Sequence, residues 1–184
     1  MTKLGRILVI ISIVAATSWA QGFHVESWAT KLEAKQETVT NLQFYFHDTL
    51  SGKNPSAIRV AQAADTEKSP TLFGALLMAD DPLTESPDPN SKLLGRAQGL
   101  YGSAGQTELV LMMAMNFCFT DGIFNGSSIS ILGKNSALNP VREMPIVGGT
   151  GLFRLARGYA LAKTHWIDIT TGDAIVGYNV TIVH

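Results

Sequence analysis

One short segment of this sequence carries a carboxylate at the end of an aromatic stripe. In Leu42-Gln43-Phe44-Tyr45-Phe46-His47-Asp48, the period of two in a β-strand puts Leu42, Phe44, Phe46 and Asp48 on one face. Two roles are open to Asp48. It can begin the turn toward Ser51-Gly52, or it can stand at the rim of an apolar cavity as a proton donor. The pattern alone favours the turn. Arg142, in Val141-Arg142-Glu143-Met144-Pro145, could offer a cation to a ligand. An arginine beside a glutamate is more often half of a surface ion pair.

Other chemistries find little support. The lone Cys118 rules out an intrachain disulfide, and its place in Phe117-Cys118-Phe119 suggests a buried, inert thiol. Gly148-Gly149-Thr150-Gly151 fails as a dinucleotide-binding turn, because Arg154 stands where the third glycine belongs and the following residues read as a strand. There is no Gly-x-Ser-x-Gly elbow, and His24, His47, His165 and His184 lack metal-site spacing. No cofactor, metal or flavin, is expected. Asn125-Gly126-Ser127 and Asn179-Val180-Thr181 are acceptor sequons for N-glycosylation in a secreted chain, whereas Pro55 disqualifies Asn54. Asn125 sits in a turn. Asn179 lies in a predicted strand and needs an outward-facing side chain.

The elements that must position these residues are strands. The 184 residues are 46% hydrophobic and 16% charged, with 17 glycines and 7 prolines, which suits one turn-rich globular domain and excludes disorder. Residues 1–20 have a basic opening (Lys3, Arg6), an apolar run from Ile7 to Ala16 and small residues at Ser18 and Ala20, the layout of a signal peptide cut after Ala20. The apolar run is too short to span a membrane, so a secreted protein is expected. Its removal takes the formal charge from −1 to −3. The remaining basic residues are scattered, which argues against nucleic acid as a partner.

Residues 21–40 read as an N-terminal arm. Beyond it, segments rich in β-branched and aromatic residues alternate with turn residues, predicting strands at 42–48, 57–64, 71–79, 92–102, 107–118, 127–133, 142–147, 152–165 and 174–183. Thr171-Gly172-Asp173 predicts a hairpin turn, and the three prolines between Asp80 and Asn90 predict an irregular surface loop. Eight or nine strands with no covering helix favour a closed barrel, with room for side chains or one small ligand.

Five blocks then carry a family resemblance: Phe44-Tyr45-Phe46-His47-Asp48, Asp80-Asp81-Pro82-Leu83-Thr84, Gly95-Arg96-Ala97-Gln98-Gly99-Leu100-Tyr101, Val141-Arg142-Glu143, and Val147-Gly148-Gly149-Thr150-Gly151 with Arg157-Gly158. In this order, across residues 40–184, they resemble the dirigent proteins of plants. The resemblance implies an all-β domain at 41–184, an eight-stranded antiparallel barrel of the allene oxide cyclase-like kind. It implies secretion to the apoplast and assembly into a homo-oligomer, a trimer or a dimer.

It also implies a function. Dirigent proteins hold small phenolic intermediates, phenoxy radicals of monolignols such as coniferyl alcohol made by a separate laccase or peroxidase, and direct their stereoselective coupling in lignan biosynthesis. By position, Asp48, Tyr101 and Arg142 correspond to catalytic pocket residues, and Phe44, Phe46 and Asn135 to the pocket lining. Lignan-forming members carry an aspartate where this chain has Asn135, and a terminal disulfide that the single cysteine excludes. The sequence is more similar to the branch containing pterocarpan synthase, a lyase that cyclises an isoflavanol through a quinone methide with loss of water. A non-catalytic cell-wall ligand-binding barrel is the third reading.

Overall fold

The computed structural model describes residues 36–184, so the expected signal peptide at 1–20 and residues 21–35 of the arm lie outside the described residues. Nine strands follow: β1 (Val39–Asp48), β2 (Ala57–Ala61), β3 (Leu76–Thr84), β4 (Leu93–Ser103), β5 (Val110–Phe119), β6 (Ser128–Ser136), β7 (Arg142–Thr150), β8 (Arg157–Ile167) and β9 (Ala174–Val183). Among the described residues, helix is confined to 3-10 turns at Thr66–Lys68, Gly122–Phe124 and Gly151–Phe153. Val39 and Thr40, assigned to the arm from sequence, already pair with Val183 and Ile182 of β9, because both are β-branched residues suited to a ladder.

The strands run antiparallel in the order β1-β9-β8-β7-β6-β5-β4-β3, and β1 returns onto β3 through Tyr45↔Thr84 and Phe46↔Leu83. That contact closes the predicted eight-stranded barrel. Closure joins the two ends of the eight-stranded sheet, and β2 is left as a short strand paired on one side. β2 pairs along the other half of β3, from Ala57↔Ala79 to Ala61↔Leu76. Period-two alternation fills the interior with Phe44, Phe46, Leu77, Ala79, Leu83, Met113, Met115, Phe117, Ile129 and Ile131, all buried. The Met112–Met115 run is a strand, as expected, and the hairpin turn between β8 and β9 forms with Gly172 at φ 85°.

One end of the barrel is closed by rings. Phe44 stands edge-on to Phe117 with centroids 5.1 Å apart and stacks on Tyr178 at 5.7 Å. Below them Phe119, Phe124, Phe153 and His184 continue the packing, with the two 3-10 turns after β5 and β7 supplying Phe124 and Phe153. Offset and edge-on ring pairs add about 0.5–1.5 kcal/mol each beyond the area they bury.

Three expectations are corrected. Residues 80–84 are not loop: β3 runs through Asp80, Asp81 and Pro82, with Pro82 opposite Arg96 of β4. The Asp80 N–H donates to Ser56 O at 2.9 Å, away from β4, and Pro82 two residues on directs its nitrogen to the same side. The ladder to β1 stops at Phe46↔Leu83 and the ladder to β2 starts at Ala57↔Ala79, so the missing N–H at Pro82 costs no ladder bond. The strand predicted at 152–165 starts at Arg157, because Gly151 at φ 62° turns the chain and drops Phe153 into the core. Cys118 is half-buried on the outer face rather than in the core, since its neighbours Phe117 and Phe119 take the inward positions. Its thiol is pushed up by desolvation and by nearby Asp80, which leaves it a poor nucleophile.

Candidate functional site

The end of the barrel opposite the rings is polar. β1 carries Asp48 to this mouth as the last residue of the stripe that begins with Phe44 and Phe46. β4 brings Tyr101, 4% exposed, to the same level. Tyr101 Oη donates to Asp48 Oδ2 at 2.7 Å, while Asp48 Oδ1 is buried with no partner. Asp48 therefore does not cap the turn after it. Asp173 performs that task, accepting from Leu50 N at 2.7 Å, Ser51 N at 3.0 Å and Ser51 Oγ at 2.5 Å.

Burial pushes the Asp48 carboxyl up to about 6, against the pull of the Tyr101 hydrogen bond and with a smaller contribution from the Asp173 charge. The carboxyl is therefore neutral in solution more acidic than about 6. Burial together with Asp48 raises the Tyr101 phenol well above its ordinary value, so it remains a donor. Asp48 itself keeps partial exposure at the mouth.

Arg142 opens β7 facing inward, and the alternation sends Glu143 out. The expected surface pair does not form. Arg142 Nε donates to Asn135 Oδ1 at 3.1 Å and Nη1 to Thr164 Oγ1 at 2.9 Å, and none of the ion pairs among the described residues includes it. Desolvation pulls its pKa down, yet a guanidinium stays charged. A buried cation held only by neutral partners is available to an anionic oxygen.

The structure thus joins Asp48 to Tyr101 and Arg142 to Asn135. Tyr178, 2% exposed, is within reach of the charges of both Asp48 and Arg142. Phe46 meets Tyr178 at 6.0 Å, whereas Phe44 belongs to the ring stack deeper in the barrel. Asn125 and Asn179 lie outside this constellation, both exposed, Asn179 on the outer face of β9 opposite Gln43. An apolar cleft of about 290 Å3 lined by Leu42, Phe44, Leu94, Phe119 and Phe124 opens at the ring end, away from Asp48.

One residue of the site carried no role in the sequence reading. Asp81 is fully buried on the inner face of β3, between Ala79 and Leu83. Its Oδ1 accepts from Ser56 Oγ at 2.5 Å, and its Oδ2 has no partner. The signal was present: a carboxylate at the inward parity of an apolar strand. Treating Pro82 as a loop marker hid it.

Comparison with known proteins agrees with this architecture. The family model described as dirigent-like protein matches residues 39–183, the whole barrel. Dirigent protein 23 of Arabidopsis thaliana is 64% identical over 182 residues, covering 98% of this chain and 97% of that protein. Pterocarpan synthase 1 of Glycyrrhiza echinata is 47% identical over 177 residues, covering 96% and 92%. The solved structure of a pterocarpan synthase dirigent protein superposes with a TM-score of 0.77 at 50% identity, over 83% of this chain and 88% of that one. With a family model spanning every strand and relatives this similar along nearly the full sequence, the chain belongs to the dirigent family.

Proposed function

We propose that this protein imposes handedness on bond formation at a phenol-derived quinone methide, with Asp48 as the acid. The observation that carries the reading is the Asp48 carboxyl itself, raised to about 6, held by Tyr101 and partly open at the mouth of an aromatic-walled barrel. An acid neutral near working pH can protonate an oxygen that departs or develops charge, and such a group contributes about 10²–10⁴ in rate. Arg142 stabilises a phenoxide oxygen, and the barrel wall fixes which ring face is open to attack.

The substrate class follows from Asn135. Its amide oxygen is committed to Arg142 and it releases no proton, so the mouth is built for one substrate rather than for two phenolic halves that each need a donor at that position. Ring closure of an isoflavanol-like phenol is the reading this favours, and relatives named pterocarpan synthase support it. Asp48 gives its proton to the benzylic hydroxyl, the C–O bond breaks with its electron pair on oxygen, and water leaves. The phenol proton passes to solvent and the quinone methide forms. A second hydroxyl of the substrate then bonds to the exposed carbon and returns its proton to Asp48, while the quinone oxygen regains one from solvent. No electrons enter or leave.

The second reading is stereoselective coupling of monolignol radicals supplied by a separate laccase or peroxidase, which the relatives named dirigent proteins support. The two are separated by incubating purified protein with an isoflavanol panel without oxidase and with monolignols plus laccase, resolving products on a chiral column. We further propose that the protein is secreted and that copies associate through an outer apolar row, Ile58, Met78, Leu100, Ala114 and Leu132, which lie opposite one another across β2 to β6. Ile58, Met78 and Leu132 are 55%, 45% and 46% exposed in the single chain. Light scattering of the mature protein is expected to show an oligomer, and a monodisperse monomer would contradict it.

A further inference from the structure

Asp81 and Asp48 lie on neighbouring strands, near enough for the charge of Asp48 to bear on Asp81. The β1–β3 ladder pairs Tyr45↔Thr84 and Phe46↔Leu83, both Phe46 and Leu83 pointing inward. Continued by two residues, this register sets Asp48 opposite Asp81 on the same inner face, a spacing at which side chains interact directly. Each carboxyl has one oxygen engaged, Asp48 Oδ2 by Tyr101 and Asp81 Oδ1 by Ser56. The other oxygen of each, Asp48 Oδ1 and Asp81 Oδ2, is buried without a partner, and these are the two such side-chain atoms among the described residues. Two buried acceptors facing one another are costly while both groups are ionised and become donor and acceptor once a proton lies between them.

We infer that Asp81 is a positioning residue of the site, a neutral carboxyl whose Oδ2–H donates to Asp48 Oδ1 and holds the catalytic acid in place against Tyr101. This rests on Asp48 as the acid and supplies the second carboxyl that Asn135 does not. The charges around Asp81 agree. Burial is the largest influence and raises it to about 8, with Asp48 and Asp80 adding to the rise and Ser56 and the outward Arg96 opposing it. From β9 the neighbour is the neutral Tyr178 phenol, and from β4 Tyr101. Above about 8 the pair carries two charges, between about 6 and about 8 it shares one proton, and below about 6 both groups are neutral.

Stability follows with a defined sign. Both folded-state values lie above the ordinary 3.8, so the native chain binds more protons than the unfolded one and stability falls as pH rises from about 4 through about 8. The test compares wild type with Asp81→Asn, an isostere of the neutral acid, by infrared difference spectroscopy at neutral pH and by thermal unfolding from about pH 5 to about pH 8. Wild type is expected to show a protonated carboxyl band that Asp81→Asn removes, and its midpoint should fall with pH while that of the variant falls much less. Equal pH slopes, or no protonated carboxyl in wild type, would overturn the inference. If Asp81→Asn does not fold, wild type and Ser56→Ala decide it: a carboxyl titrating at about 8 must be seen, and loss of the Ser56 donor must move it upward. These readouts need no substrate, so they stand or fall apart from the proposed reaction. With a substrate, Asp81→Asn should lose the alkaline limb of the pH–rate profile and keep the limb at about 6; an unchanged profile would assign Asp81 a purely structural part.

Discussion

The two ends of this barrel are built from the same strands by the same alternation, and they do opposite things. At the ring end Phe44, Phe117, Phe119, Phe153 and Tyr178 point inward and pack on one another in edge-on and stacked contacts of 5.1–6.0 Å. At the mouth the same inward parity presents Asp48, Asp81, Tyr101, Asn135 and Arg142. The ring end has no polar debt. The mouth holds both unpartnered buried carboxylate oxygens and a guanidinium without an anion. Packing is complete at one end, and the proposed reaction uses the end where polar groups are left unsatisfied.

The sharpest way to break this division is to neutralise the acid. Asp48→Asn should reduce turnover or stereocontrol by about 10²–10⁴-fold with the fold intact by circular dichroism, because the group contributes a proton and little packing. Unfolding of this variant would move Asp48 to the structural side of the comparison. The opposite experiment is at the ring end. Phe117→Ala removes a fully buried ring that touches both Phe44 and Tyr178, and should cost about 3–5 kcal/mol in denaturant unfolding. Its residual activity per folded molecule should be close to wild type.

A smaller effect distinguishes Arg142 from its neighbour. Arg142→Leu leaves Asn135 Oδ1 and the Thr164 hydroxyl unpaired, which should cost about 1–3 kcal/mol and weaken substrate binding, seen as a raised KM. Glu143→Ala should change neither, since that side chain points outward. Equal effects from both would return Arg142 to an ordinary ion pair. The smallest effect is expected from Asn135→Asp. Arg142 lies 3.1 Å from that side-chain oxygen and would hold the new carboxyl ionised, so it should pair with the guanidinium rather than donate a proton. Monolignol coupling by this variant should show no gain in enantiomeric excess; a gain would favour the two-donor, lignan-forming reading.

Part of the ring end was legible in the sequence, because the alternation that puts Leu42, Phe44 and Phe46 on one face is a local signal, whereas the parity around Cys118 was not read. The mouth was not. Asp48 read by pattern as a turn residue, and only family resemblance joined it to Tyr101, 53 positions away, since a ladder between distant strands leaves no mark on either segment alone. Arg142 next to Glu143 looked like a surface pair until the inward parity of β7 separated them. Asp81 was concealed by Pro82, whose harmlessness depends on the seam between β1 and β2, a feature of the closed barrel and not of the strand.

The measurement that bears most directly on the account is the pH dependence of product formation by the purified protein acting on an isoflavanol without oxidase, wild type beside Asp48→Asn. The account predicts saturable, stereoselective conversion by wild type that declines as pH rises through about 6 and is lost in the variant. No conversion without oxidase, or equal conversion by both proteins, would contradict it.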